Sequence, residues 1–161
     1  MPILAVPFAL SLAKETNIDR GRVQTRQMQV HGLARMEGGQ LTLEWSGTVE
    51  IAEIQGGSVR HLRQSVPAQR LVLPAQRIAL IELRGRWWRP YIELRTTGIG
   101  PLDLVPTAVA GRVLLRITRR DWGAARELVS HMQLEMADAA LKAAEDQGQL
   151  GRGQQRVEGS G

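Results

Sequence analysis

The alternation of apolar and polar residues between Met28 and Thr118, and its change of period at Thr118, constrains the fold more than any other feature. Up to Thr118 the period is two, which is typical of strands with one buried and one exposed face. In "LTLEWS", Leu41, Leu43 and Trp45 share one face and polar residues share the other. Beyond Thr118, apolar residues recur at spacings of three and four, which indicates a helix. The sequence therefore predicts a mainly β fold of about seven antiparallel strands, capped by one long C-terminal helix.

Turn residues divide the alternating region, residues 28–118, into its strands. Gly38-Gly39 predicts a hairpin, and the strand that follows is either long or bent at Gly47. The apolar residues change parity between Leu80 and Ile81, which predicts a β-bulge at that point.

The helix is predicted over about residues 121–146. Thr118 and Asp121 have the spacing of a capping box at a helix start, and Trp122 should face the sheet. Residues 147–161 are rich in Gly and Gln with little apolar content, so we expect a disordered tail. These boundaries define a single domain over residues 1–146.

The composition excludes some classes of function. The chain of 161 residues contains no cysteine, which rules out disulfide bonds and thiol chemistry. Its first apolar stretch, "PILAVPFALSLA", is too short to span a bilayer and has no positive charge before it, unlike a secretory signal peptide. We therefore expect a soluble, cytoplasmic protein.

Arginine dominates the charge, and its distribution is uneven. Residues 20–120 hold sixteen arginines against seven acids, a net of +9, whereas residues 121–146 hold two bases against six acids, a net of −4. Codon bias in a GC-rich genome would explain the excess of arginine over lysine. Selection for planar donors to phosphate or carboxylate is the alternative explanation.

Four stretches resemble a group of bacterial pleckstrin-homology-like (PH-like) proteins of unknown function. They are "VPF" at 6–8, "GLARMEGGQLTLEW" at 32–45, "VLPAQRIALIELRGRWWRP" at 72–90 and "GRVLLRITRRDWGAARELV" at 111–129. The resemblance covers roughly residues 5–136. It implies a PH-like barrel or sandwich that acts as a binding or scaffolding module, and it implies no reaction.

The resemblance does not extend to the phosphoinositide site of lipid-binding members. In those proteins clustered basic residues flank the loop between the first two strands. Here the corresponding loop is "MEGGQ", which contains Glu37 and no basic residue, and only Arg35 precedes it.

The segment "RGRWWRP" at residues 84–90 is the densest cluster of cationic and aromatic side chains. Trp and Arg are enriched at protein–protein hot spots, and indoles also suit a membrane interface. The candidate binding residues are Trp87, Trp88, Arg84, Arg86 and Arg89. Because neighbouring residues of a strand point to opposite faces, we expect at least one of the two tryptophans to lie in the core.

A second group of basic residues could bind an anionic ligand, either a lipid headgroup or a nucleic acid. It consists of Arg60, His61, Arg63, Arg70 and Arg77. No aromatic residue separates these side chains, no RNA-binding motif is evident and the predicted helix is acidic. A solvated face, partly neutralised by nearby glutamates, explains the group better.

Catalytic and metal-binding patterns find little support. The three histidines are far apart in the sequence, and no GxSxG, HExxH or phosphate-binding loop is present. His131 lies four residues from both Glu127 and Glu135, a spacing that fits a weak metal site but is more typical of a surface ion-pair row. We expect no enzymatic activity, no cofactor and no bound metal.

These patterns predict a non-catalytic interaction or scaffolding domain that binds a protein or peptide, by strand addition or in a groove between helix and sheet. The alternative is an anionic-surface binder, of membrane or nucleic acid, that uses the arginine-rich sheet. The alanine-rich segment "ADAALKAAED" could dock on a second copy to give a homo-oligomer, or could form an isolated extension.

Overall fold

The computed structural model describes residues 4–19 and 21–155, which form seven strands and one long helix. In chain order these are β1 (Leu4–Asp19), β2 (Arg22–Glu37), β3 (Gln40–Gln55), β4 (Ser58–Pro74), β5 (Ile78–Arg86), β6 (Arg89–Thr96), β7 (Arg112–Arg116) and α1 (Trp122–Gln155). The predicted fold class, mainly β with a C-terminal capping helix, is confirmed.

The strands form one antiparallel sheet with the order β4-β3-β2-β1-β7-β6-β5. β1–β4 are one meander and β5–β7 are another, and in the described residues the two meet at a single pair, Ala9–Arg116. The predicted hairpin at Gly38-Gly39 is confirmed, and both glycines have positive φ, as a tight two-residue turn requires.

The hydrophobic core lies between the two meanders and under α1. We call this part the body; it comprises residues 4–10, 30–45 and 69–139. Leu43 and Trp45 on the sheet and Leu128 and Met132 on α1 are at most 3% exposed. Burial of such side chains is the main source of stability in a domain of this size.

The first four strands continue beyond the body as a single layer, which we call the blade; it comprises residues 11–19, 21–29 and 46–66. At its base β4 carries one extra residue opposite Ser46. There Gly47 lies so close to β2 that a Cβ atom would stand 2.1 Å from the backbone oxygen of Gln29. Of the two predicted alternatives for β3, the long strand is the one found, and its register with β4 shifts beside Gly47.

The strands begin earlier than the predicted residue 28, because β1 and the first residues of β2, 22–27, were not recognised. In β1 the core side chains Val6, Phe8 and Leu10 alternate with Ala5, Pro7 and Ala9. Since the outward positions are also apolar, the period of two is hidden in the sequence. The predicted bulge in β5 is present, but the register shifts between Ile78 and Leu80, slightly earlier than expected.

The helix differs from its prediction at both ends. A 3₁₀ turn precedes it, and there the Thr118 hydroxyl donates to the Asp121 carboxylate at 2.6 Å, so the reciprocal side-chain-to-backbone bonds of a capping box do not form. α1 continues to Gln155, so residues 147–155 of the predicted disordered tail are helical. Residues 156–161 lie outside the described residues.

The first half of α1 packs on the body and the second half, residues 140–155, extends past it as an overhang. α1 has 34 residues, which corresponds to about 51 Å at about 1.5 Å per residue. The side chains from Ala140 to Leu150 are exposed. Among the described helices none has the length and apolarity needed to cross a membrane.

Candidate functional site

The two neighbouring tryptophans are both exposed, at 52% for Trp87 and 50% for Trp88. The expectation that at least one lies in the core is wrong. Both residues form the turn between Arg86 and Arg89, the last pair of the β5–β6 ladder. A turn projects past the end of the sheet, so the alternation of faces within a strand does not apply to it.

The indoles are ordered by contacts with each other and with arginines. Their rings meet edge to face at 5.8 Å, which is a favoured aromatic geometry. Arg86 stacks over Trp88 at 5.1 Å and Arg119 stacks over Trp87 at 3.8 Å. Such cation–π contacts hold the exposed rings in place, so the hairpin tip is a preorganised aromatic surface.

The outer face of β5–β7 adds further arginines to this tip. The strand register and alternation place six on one face: Arg84 and Arg86 from β5, Arg89 and Arg95 from β6, and Arg112 and Arg116 from β7. The structure therefore brings the predicted Arg84, Arg86 and Arg89 together with three arginines that the sequence analysis missed. In "YIELR" and "RVLLR" these arginines occupy outward positions of the alternating pattern. That pattern places them on one surface only once β6 and β7 are known to pair.

Glu93 lies at the centre of this arginine face and is fully buried. Its carboxylate forms ion pairs with Arg95 at 2.7 Å, Arg112 at 2.8 Å and Arg84 at 3.1 Å. The hydrogen bond from Arg95, followed by the hydrogen bond and charge of Arg112, holds the pKa of Glu93 below its usual range despite the burial. The hydrogen bond from Arg84 to Glu82 in turn raises the pKa of Arg84.

The remaining three arginines of the face, Arg86, Arg89 and Arg116, form no ion pair within the described residues. Arg116 donates to the hydroxyl of Ser11 on β1 at 3.0 Å. Charged donors without an acidic partner are available to bind an external carboxylate or phosphate.

A trough runs along the junction of β1 and β7, where these cations meet aromatic side chains. One cavity of about 790 Å³ is lined by residues that include Phe8, His31, Trp88, Arg89 and Arg116. A neighbouring cavity of about 720 Å³ shares Ala9, Tyr91 and Arg116 with it and continues along β7. Together they form a concave surface that combines apolar and cationic groups.

β7 has a free backbone edge within this trough. Arg112 exchanges both backbone hydrogen bonds with Val109, on the side away from β6. Because these directions alternate along a strand, Leu114 also directs its N–H and C=O away from β6. The ladder with β1 ends at Arg116, so this backbone faces the trough.

The second predicted group of basic residues does not form one surface. Arg60 lies opposite Glu53 on one face of the blade, whereas His61 and Arg63 lie on the other face, with Arg63 at 3.8 Å from Glu50. Arg70, opposite Glu44, lies on the same face as His61 and Arg63 but beyond the extra residue of β4, and Arg77 lies in the 3₁₀ turn between β4 and β5.

The absence of a bound metal stays a prediction. His131 is exposed on α1, and in the described part of the chain no three His, Cys, Asp or Glu side chains are placed to hold a metal ion.

In comparisons with known proteins, no family model, curated protein or solved structure matches the chain.

Proposed function

We propose that this chain is a non-catalytic, PH-like interaction domain that binds an extended acidic segment of a partner protein in the trough between β1 and β7. The observation that carries the proposal is the convergence of Trp88, Arg89 and Arg116 on one concave surface. The seven antiparallel strands and the C-terminal helix support the PH-like assignment.

An extended peptide suits the trough because two kinds of contact are available along its length. The free N–H and C=O of Leu114 can pair with a peptide backbone, as in other cases of strand addition. The guanidinium groups of Arg89 and Arg116 can bind carboxylates of alternate residues in bidentate fashion. Trp88 and Tyr91 offer apolar surface with a polar edge, as hot spots commonly do.

Of the two strands that end the sheet, β4 and β5, the edge at β5 is less suited to strand addition. β5 ends the strand order, but the side-chain amide of Gln133 on α1 donates to the backbone oxygen of Ile81 at 2.9 Å. A peptide strand at this edge would have to replace that hydrogen bond. The groove between helix and sheet is thus partly closed by the chain itself.

One observation favours the alternative, an anionic-surface binder. The outer face of β5–β7 carries six arginines against Glu82 and Glu93, a net of +4. A phosphate-rich surface would be attracted to this face with strong salt dependence. Internal pairing with Glu93 already occupies three of the arginines, which favours the peptide.

The test uses fluorescence polarisation with a labelled peptide of alternating glutamate and valine, and a matched peptide with glutamine for glutamate. We expect the glutamate peptide to bind, and Arg116→Ala and Trp88→Ala each to weaken it about tenfold, the effect of losing about 1.4 kcal/mol. Arg126→Ala, which removes an exposed arginine of α1, is the control and should leave the affinity unchanged.

The same variants are then tested with duplex DNA and with vesicles that contain anionic lipid, at low and high salt. Absence of binding to the glutamate peptide, or equal binding of the glutamine peptide, would overturn the proposal. Salt-sensitive binding of DNA or vesicles that Arg116→Ala abolishes would replace it with the alternative.

A further inference from the structure

Apart from Val49, which is 4% exposed, the blade leaves uncovered the same sheet face that α1 covers in the body. We call it the inner blade face. Leu12 on β1 follows the buried Leu10 at the same parity, and Met28 on β2 follows Val30 in the same way. In the body α1 packs on this face through residues such as Leu128 and Met132. The apolar positions of a sheet face that is covered by a helix therefore continue into the blade, where α1 does not cover them.

The inner blade face combines an apolar strip with positive charge. The register aligns Leu12 with Met28 across β1 and β2, and Ile51 with Leu62 across β3 and β4. Leu12 is 45% exposed and Leu62 is 53% exposed. Among the side chains that the structure describes, the charged residues on this face are Lys14, Arg22, Arg26 and Arg60 against Glu53, a net of +3.

α1 carries a matching surface of opposite charge on the side that points away from its own core. At helical spacing, Leu134, Ala137, Leu141 and Ala144 fall on one stripe, and Leu134 and Leu141 are 64% and 63% exposed. Asp138 and Glu145 flank this stripe. Residues 137–150 hold three acids against Lys142, a net of −2.

The helix cannot supply this stripe to its own blade. Glu135 lies beside Gly39, in the hairpin between β2 and β3. This hairpin is at the opposite end of the strands from the blade tips at Gly21 and at Gly56-Gly57. The overhang therefore leaves the body on the side away from the blade.

We propose that the inner blade face is covered by α1 of a second copy of this chain, in a two-fold dimer in which each copy gives its helix and receives the other's. Two copies placed antiparallel bring the blade of one beside the overhang of the other, so one interface type is used twice. This interface lies apart from the trough between β1 and β7 and is independent of its proposed function.

Dimensions and charge both favour the blade over a second helix as the docking partner. Four strands at about 4.8 Å span about 14 Å, and the stripe from Leu134 to Ala144 spans about 15 Å at about 1.5 Å per residue. A helix–helix pair would juxtapose Asp138 and Glu145 with the same acids of its partner. On the blade they meet Lys14 and Arg26, and this complementarity selects the partner.

The mass of the full chain in solution, by light scattering and sedimentation equilibrium, tests the proposal. We expect a dimer of twice 17.8 kDa. Leu141→Lys should weaken dimerisation more than tenfold. Leu150→Lys is the matched control, because Leu150 is 73% exposed but lies on the other side of the helix.

Charge exchange distinguishes blade docking from helix pairing. The pair Lys14→Glu and Arg26→Glu should weaken the dimer, as should the pair Asp138→Lys and Glu145→Lys, and the four changes together should restore it. Circular dichroism of each variant verifies that it folds. A monomer at every concentration tested, or a dimer that the blade substitutions leave unchanged, would overturn the proposal.

Discussion

The strands β1–β4 run through both the body and the blade, yet the burial of their side chains differs between the two regions. In the body, Leu43 of β3 and Leu73 of β4 are at most 2% exposed, under α1 and the second meander. In the blade, Leu62 of β4 is 53% exposed on the same face of the sheet. The comparison teaches that hydrogen-bonded pairing extends the sheet over its whole length, but that a second layer decides where it gains hydrophobic stability.

The largest expected difference concerns truncation of a leucine in each region. Leu43→Ala should lower the free energy of unfolding by about 2–5 kcal/mol, because it leaves a cavity in a close-packed core. Leu62→Ala should cost less than about 1 kcal/mol in the monomer, because the side chain is half exposed. Urea unfolding at low protein concentration measures both. Equal losses would contradict the division into body and blade.

The junction between the two regions should be sensitive to a single methyl group. Gly47→Ala places a Cβ atom against the backbone of β2, and relieving that overlap should cost about 1–3 kcal/mol. Gly123→Ala is the control, because a Cβ atom there meets no atom within 4 Å and alanine favours a helix by about 1 kcal/mol. A neutral Gly47→Ala variant would show that the strands do not approach closely at the blade base.

The smallest of these effects compares an acid in each region. Glu93 is buried among three arginines, and its lowered pKa means that it stabilises the fold above the usual carboxyl range and loses this contribution as the pH falls through its folded-state pKa. Glu93→Gln should therefore reduce the melting temperature at pH 7, and the difference should shrink below pH 4.5, the ordinary carboxyl pKa.

Glu50→Gln in the blade is the matched control for Glu93→Gln. Glu50 forms an exposed pair with Arg63 at 3.8 Å, and such pairs contribute little to stability. Its substitution should leave the melting temperature nearly unchanged at every pH. A Glu93→Gln variant that is equally stable at pH 7 would show that the arginine cluster does not depend on its carboxylate.

Apart from β1, whose outward residues are also apolar, the sequence predicted the body better than the blade, and the reason is physical. In the strand of Leu41, Leu43 and Trp45 one face is buried, so the apolar period of two is visible. The blade half of β2, "RVQTRQ", has no layer on either face and shows no such period, so it was missed. The end of the overhang, residues 147–155, was missed for a similar reason, because a helix that extends past the body needs no apolar spacing.

The candidate site was predicted in part. The Trp87-Trp88 turn and its arginines were identified from local sequence, but their exposure was not, because a turn does not follow strand alternation. Arg112 and Arg116 reach the site only through pairing of β7 with β6 and β1. Long-range register of this kind cannot be deduced from local spacing.

Amide hydrogen exchange of the full chain at two protein concentrations tests most directly the claim that the blade is a single layer completed by a second copy. At low concentration, residues 48–53 and 60–65 should exchange much faster than residues 41–45 of the body, since opening an uncovered sheet costs little. At high concentration these blade amides and residues 138–145 of α1 should gain protection together, while residues 41–45 stay unchanged. Blade exchange that is as slow as body exchange at low concentration, or that does not depend on concentration, would contradict the account.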